Sequence, residues 1–334
     1  MQGTGQKVQS QDNQYRAALR FYNGQGVLCP RARCDLGVKA KSPAQQTGEI
    51  IKKVESPLLK FKPSVVLIYG DTNSSLAGAL AASKLGISIA HVEAGVRSGE
   101  GIPEEWNRKV IDVLAEYHFC PTMDSFQNLV WEGLWKSNSY LTGDVAVDLF
   151  EDTESDESVL DAYGIEKNKY VLATIHRQGN TDDKHRLSKI AEWLKTSDNA
   201  ILISHPRNSK MLKEFGLEKQ IKSKIRPAAN YAQMLALERN ARAIVTDSGG
   251  VQKEAYMSKV PCVVLREKTE WKDPVSHGWA VCSEIDYIQA NLEKVISSEK
   301  LKPYGFKRGR NSIIKILEDN YGKTIQTKEE RKKK

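Results

Sequence analysis

Val65-Val66-Leu67-Ile68-Tyr69-Gly70-Asp71-Thr72-Asn73-Ser74 is the stretch whose reading decides the fold. Its first five residues are apolar without polar alternation, the pattern of a parallel strand buried on both faces. Gly70 and Asp71 end the run, and an Ala/Leu-rich helical segment from Ser74 to Lys84 follows, closed by Gly86. Ile87 to Val92 repeats the buried strand. Upstream, Ser42 to Leu59 has helical spacing, with Ser42-Pro43 as cap and first helical position. Downstream, Glu105 to Leu114 reads as a helix, Tyr117 to Cys120 as a strand, Asp124 to Glu132 as a helix and Ser139 to Thr142 as a strand.

The alternation pauses at residues 150–168, an acidic, irregular segment with Glu151, Asp152, Glu154, Asp156 and Glu157. It then restarts. Tyr170 to Ile175, Ala200 to Ser204, Ala243 to Thr246, Cys262 to Leu265 and Ala280-Val281 read as strands, with helices at 183–195, 231–239 and 250–258. Strand–helix alternation in both halves indicates an α/β protein with two doubly wound domains. The expected divisions are 1–149, a linker at 150–168, 169–322 and a basic tail at 323–334. Residues 1–35 show a helix-like patch around Tyr15 to Tyr22 and no strand pattern.

Composition excludes several classes. The chain has 334 residues, too many for one typical core. Hydrophobic residues at 40% and charged residues at 28% are ordinary for a globular protein. The longest apolar stretch, Leu76 to Val92, is interrupted by Lys84 and His91, which argues against a membrane span. The polar, Gln-rich opening has no secretory pattern, so a cytoplasmic protein is expected. The net charge is +8, but the tail 323–334 carries six Lys or Arg against two Glu and so supplies half of it. Without aromatic interleaving, that pattern does not suggest a nucleic-acid partner. Five cysteines, Cys29, Cys34, Cys120, Cys262 and Cys282, form no CxxC pair, so neither a disulfide framework nor a metal site is expected. Cys120, Cys262 and Cys282 sit in apolar runs and read as small buried residues.

Candidate chemistry clusters at strand ends. Asp71 and Glu93 leave the carboxyl ends of two neighbouring strands, where α/β proteins place reactive groups. Taken alone, Asp71 also reads as the N-cap of the helix that follows. Glu93 ends a buried strand and so requires a partner. Glu104 and Arg108 are four apart and share a helix face; alone they read as a surface ion pair worth under about 1 kcal/mol. His176-Arg177 ends the first strand of the second half and is placed to meet an anion. Asp247-Ser248-Gly249-Gly250 joins a strand to a helix whose start offers free N–H groups to a diphosphate. No Walker loop and no GxGxxG is present, and Gly24-Gln25-Gly26 follows no strand.

The ordered set Gly70-Asp71-Thr72-Asn73-Ser74, His91-Val92-Glu93-Ala94-Gly95-Val96-Arg97, Pro103-Glu104-Glu105 with Asn107-Arg108, His176-Arg177, and Asp247 to Gln252 with Glu254 resembles the non-hydrolysing UDP-N-acetylglucosamine 2-epimerases. The likeness runs from about residue 34 to about 315. It implies a glycosyltransferase-B-type fold of two Rossmann-like domains with the active site between them, and a homodimer. It also implies that Asp71, Glu93, Glu104 and His176 line the reacting sugar. Ser248, Gly249 and Gly250 would hold the diphosphate, Glu254 the ribose, and Tyr231 would lie in the segment that reaches uracil.

Three departures stand out. The family opens with a strand and a Gly-Thr-Arg-Pro-Glu turn; residues 1–30 contain neither, so the first strand of the N-terminal domain is expected to be missing or replaced. Met234 stands where the family packs an aromatic on uracil. Thr269-Glu270-Trp271-Lys272-Asp273 replaces a Thr-Glu-Arg-Pro-Glu segment and resembles a sub-group acting on other UDP-2-acetamido sugars. The implied reaction is reversible epimerisation at carbon 2 by elimination and re-addition of UDP, which suits convergent carboxylates and a histidine and requires no nicotinamide cofactor. Three alternatives remain open at this point: another UDP-2-acetamido sugar as substrate, a glycosyltransferase of the same architecture, or an inactive UDP-sugar-binding relic.

Overall fold

The structure, a computed structural model, describes residues 19–22, 36–38, 42–302 and 306–322. Residues 15–18, Gly24-Gln25-Gly26, Cys29, Cys34 and the basic tail lie outside them. The chain divides into two compact units, Met1–Asp148 with Phe306–Lys334, and Leu149–Gly305.

The first unit contains β1 (Leu19–Tyr22), α1 (Pro43–Phe61), β2 (Val65–Tyr69), α2 (Asn73–Lys84), β3 (Ser88–Val92), α3 (Pro103–Leu114), β4 (Tyr117–Cys120), α4 (Met123–Trp131) and β5 (Ser139–Leu141). Helix α5 (Val145–Asp152) crosses into the second unit, which continues with α6 (Ser158–Tyr163), β6 (Val171–Thr174), α7 (Gln178–Thr181), α8 (Lys184–Thr196), β7 (Ala200–Ile203), α9 (Pro206–Glu214), β8 (Ile225–Arg226), α10 (Tyr231–Arg239), β9 (Ala243–Thr246), α11 (Gly249–Met257), β10 (Cys262–Val264), α12 (Lys272–Ser276), β11 (Ala280–Cys282) and α13 (Ile288–Ser297). The last helix, α14 (Arg310–Tyr321), rejoins the first unit. The strand–helix alternation alone groups it with residues 169–322.

The first sheet has the order β1-β2-β3-β4-β5. Strands β2 to β5 are parallel, as the apolar runs predict. Strand β1 pairs antiparallel with β2, from Leu19 opposite Ile68 to Tyr22 opposite Val65. This corrects the expectation of no strand, and of a helix-like patch, in this region. Four residues are too few for a period to be read, and pairing with the edge of β2 decides their state. The two faces of the sheet follow the strand period of two. Val66 and Ile68 pack with Val54, Leu58, Ala82 and Ile111 of α1 to α3, whereas Val65 and Leu67 pack with Ile313 and Leu317 of α14. Helix α1 begins as read: Ser42 caps it by accepting the Gln45 N–H at 3.2 Å, with Pro43 in its first turn.

The second sheet is parallel throughout, ordered β11-β10-β9-β6-β7-β8. The chain runs outward from β6 in one direction to β7 and β8, and in the other through β9 to β11. The carboxyl ends of β6 and β9 therefore flank a topological switch point, the usual ligand position in such sheets. The acidic segment 150–168 is not irregular throughout: residues 150–152 end α5 and residues 158–163 form α6. Val147 and Phe150 of α5 and Val159 and Leu160 of α6 are buried, a periodicity that the surrounding carboxylates mask in the sequence. Cys120 and Cys262 are buried and Cys282 is half-buried, all as free thiols. No described helix is long and apolar enough to cross a membrane.

Candidate active site

In the first unit the candidate carboxylates stand on the turns after β2 and β3. The turn after β2 is not used as Asp71 alone would suggest. Thr72 caps α2, accepting the Ser75 N–H at 3.2 Å, and leaves Asp71 for another partner. That partner is Arg108, whose Nη2 lies 2.6 Å from Asp71 Oδ2. Asn107 Nδ2 donates to the Asp71 carbonyl at 2.7 Å. Arg108 also binds Glu105 at 3.1 Å. Burial pushes the Glu105 carboxyl up, but the Ser98 N–H and hydroxyl and the Arg108 charge outweigh it, holding Glu105 below the usual range. Glu104, one residue earlier, is exposed and forms no ion pair among the described residues; the expected Glu104–Arg108 pair gives way to Asp71 and Glu105.

Glu93 has a φ of 70°, left-handed backbone that a side chain bearing Cβ adopts only when its surroundings enforce it. Its carboxylate lies against Gly70: a Cβ built on Gly70 would sit 3.3 Å from Glu93 Oε2. Beneath both turns lies a fully buried ion pair, His91 Nδ1 to Asp112 Oδ1 at 2.6 Å. His91 Nε2 faces the Gly70 carbonyl at 3.0 Å. Asp112 also accepts the Gly95 N–H at 3.2 Å and pairs with Arg97 at 2.8 Å. Burial raises the Asp112 carboxyl, but His91, Arg97 and His118 together hold it below its ordinary value.

In the second unit the turns after β6 and β9 are joined by Asp247, which is fully buried. Its carboxylate accepts the N–H of His176 at 3.0 Å, the N–H of Arg177 at 2.9 Å and the Asn180 amide at 3.0 Å. The His176 ring lies tilted by 36° against that of His205, with centroids 5.1 Å apart. Burial, then the neighbouring His176 and Arg207 charges, lower the His205 pKa. Ser248 caps α11 through the Val251 N–H, so Gly249 and Gly250 form its first turn. A side chain at 249 would displace its neighbours: a Cβ there would lie 2.6 Å from Glu270 Oε1 and 3.3 Å from Trp271 Nε1. Glu270 is itself held by a buried ion pair with Arg266 at 2.7 Å.

Tyr231 donates to Glu254 Oε1 at 2.8 Å. Burial raises the carboxyl pKa of Glu254 and, further, that of the neighbouring Glu238, whose ionisation the Glu254 charge also resists; Tyr231, Lys253 and Glu238 in turn favour the ionised form of Glu254. Met234, one turn beyond Tyr231 on α10, is half-buried and packs against the core shared by α6, α10 and α11.

Asp71, Glu93 and Glu104 thus stand on the first unit; His176, Arg177, Met234, Ser248, Gly249, Gly250 and Glu254 stand on the second. The expected site residues do not include Asn107, Asp112, Glu238, Arg266 or Glu270. Asn107 and Asp112 act through contacts distant in sequence, with Asp71 and Gly95, and a lone buried acid or amide gives no periodic signal.

Residues 3–318 match the family described as UDP-N-acetylglucosamine 2-epimerase. A UDP-N-acetylglucosamine 2-epimerase homolog of Methanococcus maripaludis is 43% identical over 302 residues, covering 86% of this chain and 84% of that one. The UDP-2,3-diacetamido-2,3-dideoxy-D-glucuronate 2-epimerase of Pseudomonas aeruginosa is 38% identical over 267 residues, covering 77% and 73%. Among solved structures, the UDP-GlcNAc 2-epimerase of Methanocaldococcus jannaschii in complex with UDP-GlcNAc and UDP is similar, with a TM-score of 0.78, 38% identity and coverage of 85% and 83%.

Proposed function

The chain belongs to the UDP-N-acetylglucosamine 2-epimerase family, and from that premise we propose that it interconverts UDP-N-acetylglucosamine and UDP-N-acetylmannosamine. Carbon 2 carries no carbonyl to acidify its hydrogen. The reaction therefore couples loss of that proton to loss of UDP. The C2–H electron pair becomes the C1–C2 π bond while the C1–O pair leaves with the diphosphate. UDP then re-adds at carbon 1 as a proton is delivered to the opposite face of carbon 2.

Asp71, Glu93 and Glu104 share the two proton transfers. His176, Arg177 and the start of α11 stabilise the departing diphosphate. Glu254, oriented by Tyr231, accepts from the ribose hydroxyls, and Met234 packs toward the base. The observation that carries this reading is the pair of turns holding Asp71 and Glu93 at adjacent strand ends, with Glu93 in enforced left-handed backbone. A general acid or base set in this way contributes about 10²- to 10⁴-fold.

Positional isotope exchange tests the bond that breaks. With ¹⁸O in the C1–O–P bridge, elimination frees the diphosphate to rotate and carries the label into a non-bridging position. A label retained in the bridge during turnover would rule out elimination. Trp271 and the Pseudomonas relative favour a second substrate, a UDP-2,3-diacetamido sugar acid, and the same assay run on it separates the two.

We also infer a homodimer. Trp106, Val110 and Val113 form an exposed stripe at helical spacing on α3, beside exposed Val130, Trp131 and Trp135 at the end of α4. The two helices are linked by Lys109 and Glu132 at 4.0 Å. A joined apolar surface of this kind suits a second copy of the chain.

A further inference from the structure

The His91–Asp112 pair touches no position assigned to substrate, yet it binds every element that carries a proposed proton-transfer group. Asp112 lies on α3, the helix of Glu104, Asn107 and Arg108. Through the Gly95 N–H it holds the turn that follows Glu93, and through His91 it reaches the Gly70 carbonyl, one residue before Asp71. Both ring nitrogens of His91 are engaged, Nδ1 with the Asp112 carboxylate at 2.6 Å and Nε2 with the Gly70 carbonyl at 3.0 Å. His91 and Asp112 are both fully buried, where such bonds are stiff and costly to leave unmade.

We propose that His91 is a positioning residue for the epimerisation. It transmits the placement of Asp112 on α3 to the Gly70–Asp71 turn and so fixes the spacing among Asp71, Glu93 and Glu104. The contact of Gly70 with the Glu93 carboxylate makes that spacing sensitive, because any shift of the Gly70 turn moves the surface on which Glu93 rests. The inference rests on the epimerase reading of those three carboxylates.

Two substitutions separate the links. His91→Asn keeps a donor near the Nδ1 position, toward Asp112, and removes the bond to the Gly70 carbonyl. His91→Gln keeps a donor near the Nε2 position, toward Gly70, and removes the bond to Asp112. A misplacement of about 1 Å costs on the order of 10²-fold in rate. We therefore expect His91→Asn to lower kcat by about 10²-fold and His91→Gln by about 10-fold, both with KM and UDP affinity within about 3-fold of wild type.

Two folded variants with wild-type kcat would overturn the proposal. So would parallel losses of kcat and UDP affinity, which mark a merely structural role. If the His91 variants fail to fold, Arg97→Gln loosens the same carboxylate from its outer side. A kcat loss of about 10-fold at unchanged UDP affinity then upholds the proposal, and unchanged kcat overturns it. A wild-type protein that binds UDP but does not epimerise defeats the functional reading and this inference with it; an active wild type whose variants keep wild-type kcat defeats the inference alone.

Discussion

Asp71 concentrates the argument at the scale of single residues. Arg108 sits 2.6 Å from its carboxylate and Asn107 holds its carbonyl, so its orientation is fixed without a share in capping α2. Asp71→Asn keeps the shape and removes the base. Turnover should fall by about 10²-fold or more while the UDP dissociation constant changes by less than about 3-fold. Equal losses in both would make the residue structural. Glu238 gives a stability prediction of defined sign. Its folded-state pKa is raised well above 4.5 by burial and by Glu254, so the folded protein binds a proton that the unfolded chain releases. That contribution is fully present below about pH 4.5 and is lost as pH rises toward the raised value. Glu238→Gln should accordingly raise Tm at pH 8 and leave it almost unchanged at pH 4. A greater gain at pH 4 than at pH 8 would reverse the assignment. The identity of Asp71 as a candidate was legible in the sequence because a buried strand ends just before it. Its partner was not, because Glu104 and Glu105 compete for Arg108 at equally good helical spacings and only the packing of α3 decides.

Elements differ in how far the sequence discloses them, for physical reasons. Strands β2, β3, β6 and β9 are buried on both faces and announce themselves as apolar runs. Strands β1 and β8 have four and two residues, and pairing rather than pattern defines them. The helices of residues 145–163 hide their apolar face among carboxylates. Helix α14 is an ordinary amphipathic segment whose placement depends on Ile313 and Leu317 meeting Val65 and Leu67, some 250 residues away in sequence. The turn into α11 shows how element geometry becomes function. Gly249 leaves room for Glu270, which Arg266 holds against the helix start. Gly249→Ala places a methyl group in that room and must displace a buried ion pair, a strain of about 1–3 kcal/mol. UDP affinity should fall by about 10-fold, measured by calorimetry, with the fold retained in circular dichroism. Unchanged affinity would mean that the helix start does not receive the diphosphate.

At the scale of the whole molecule, each unit has its own two-faced sheet and core, and the chain passes from one unit to the other after Asp148 and back before Phe306. The return segment is locked to the first unit where Asp148 accepts the N–H groups of Gly309 and Arg310 at 2.8 and 2.9 Å. Trp106 is 63% and Trp131 72% exposed, an arrangement that a second copy would relieve. Light scattering on the intact protein should give about twice the chain mass of 37.4 kDa, and Val113→Glu with Trp131→Glu should return it to a single chain. A wild-type monomer would remove the dimer from the account. The central claim is tested most directly by incubating the protein with UDP-N-acetylglucosamine in heavy water and following the sugar by NMR. The account predicts UDP-N-acetylmannosamine with deuterium at carbon 2. An epimer that retains protium there, or an unchanged substrate in the presence of folded protein that binds UDP, would contradict it.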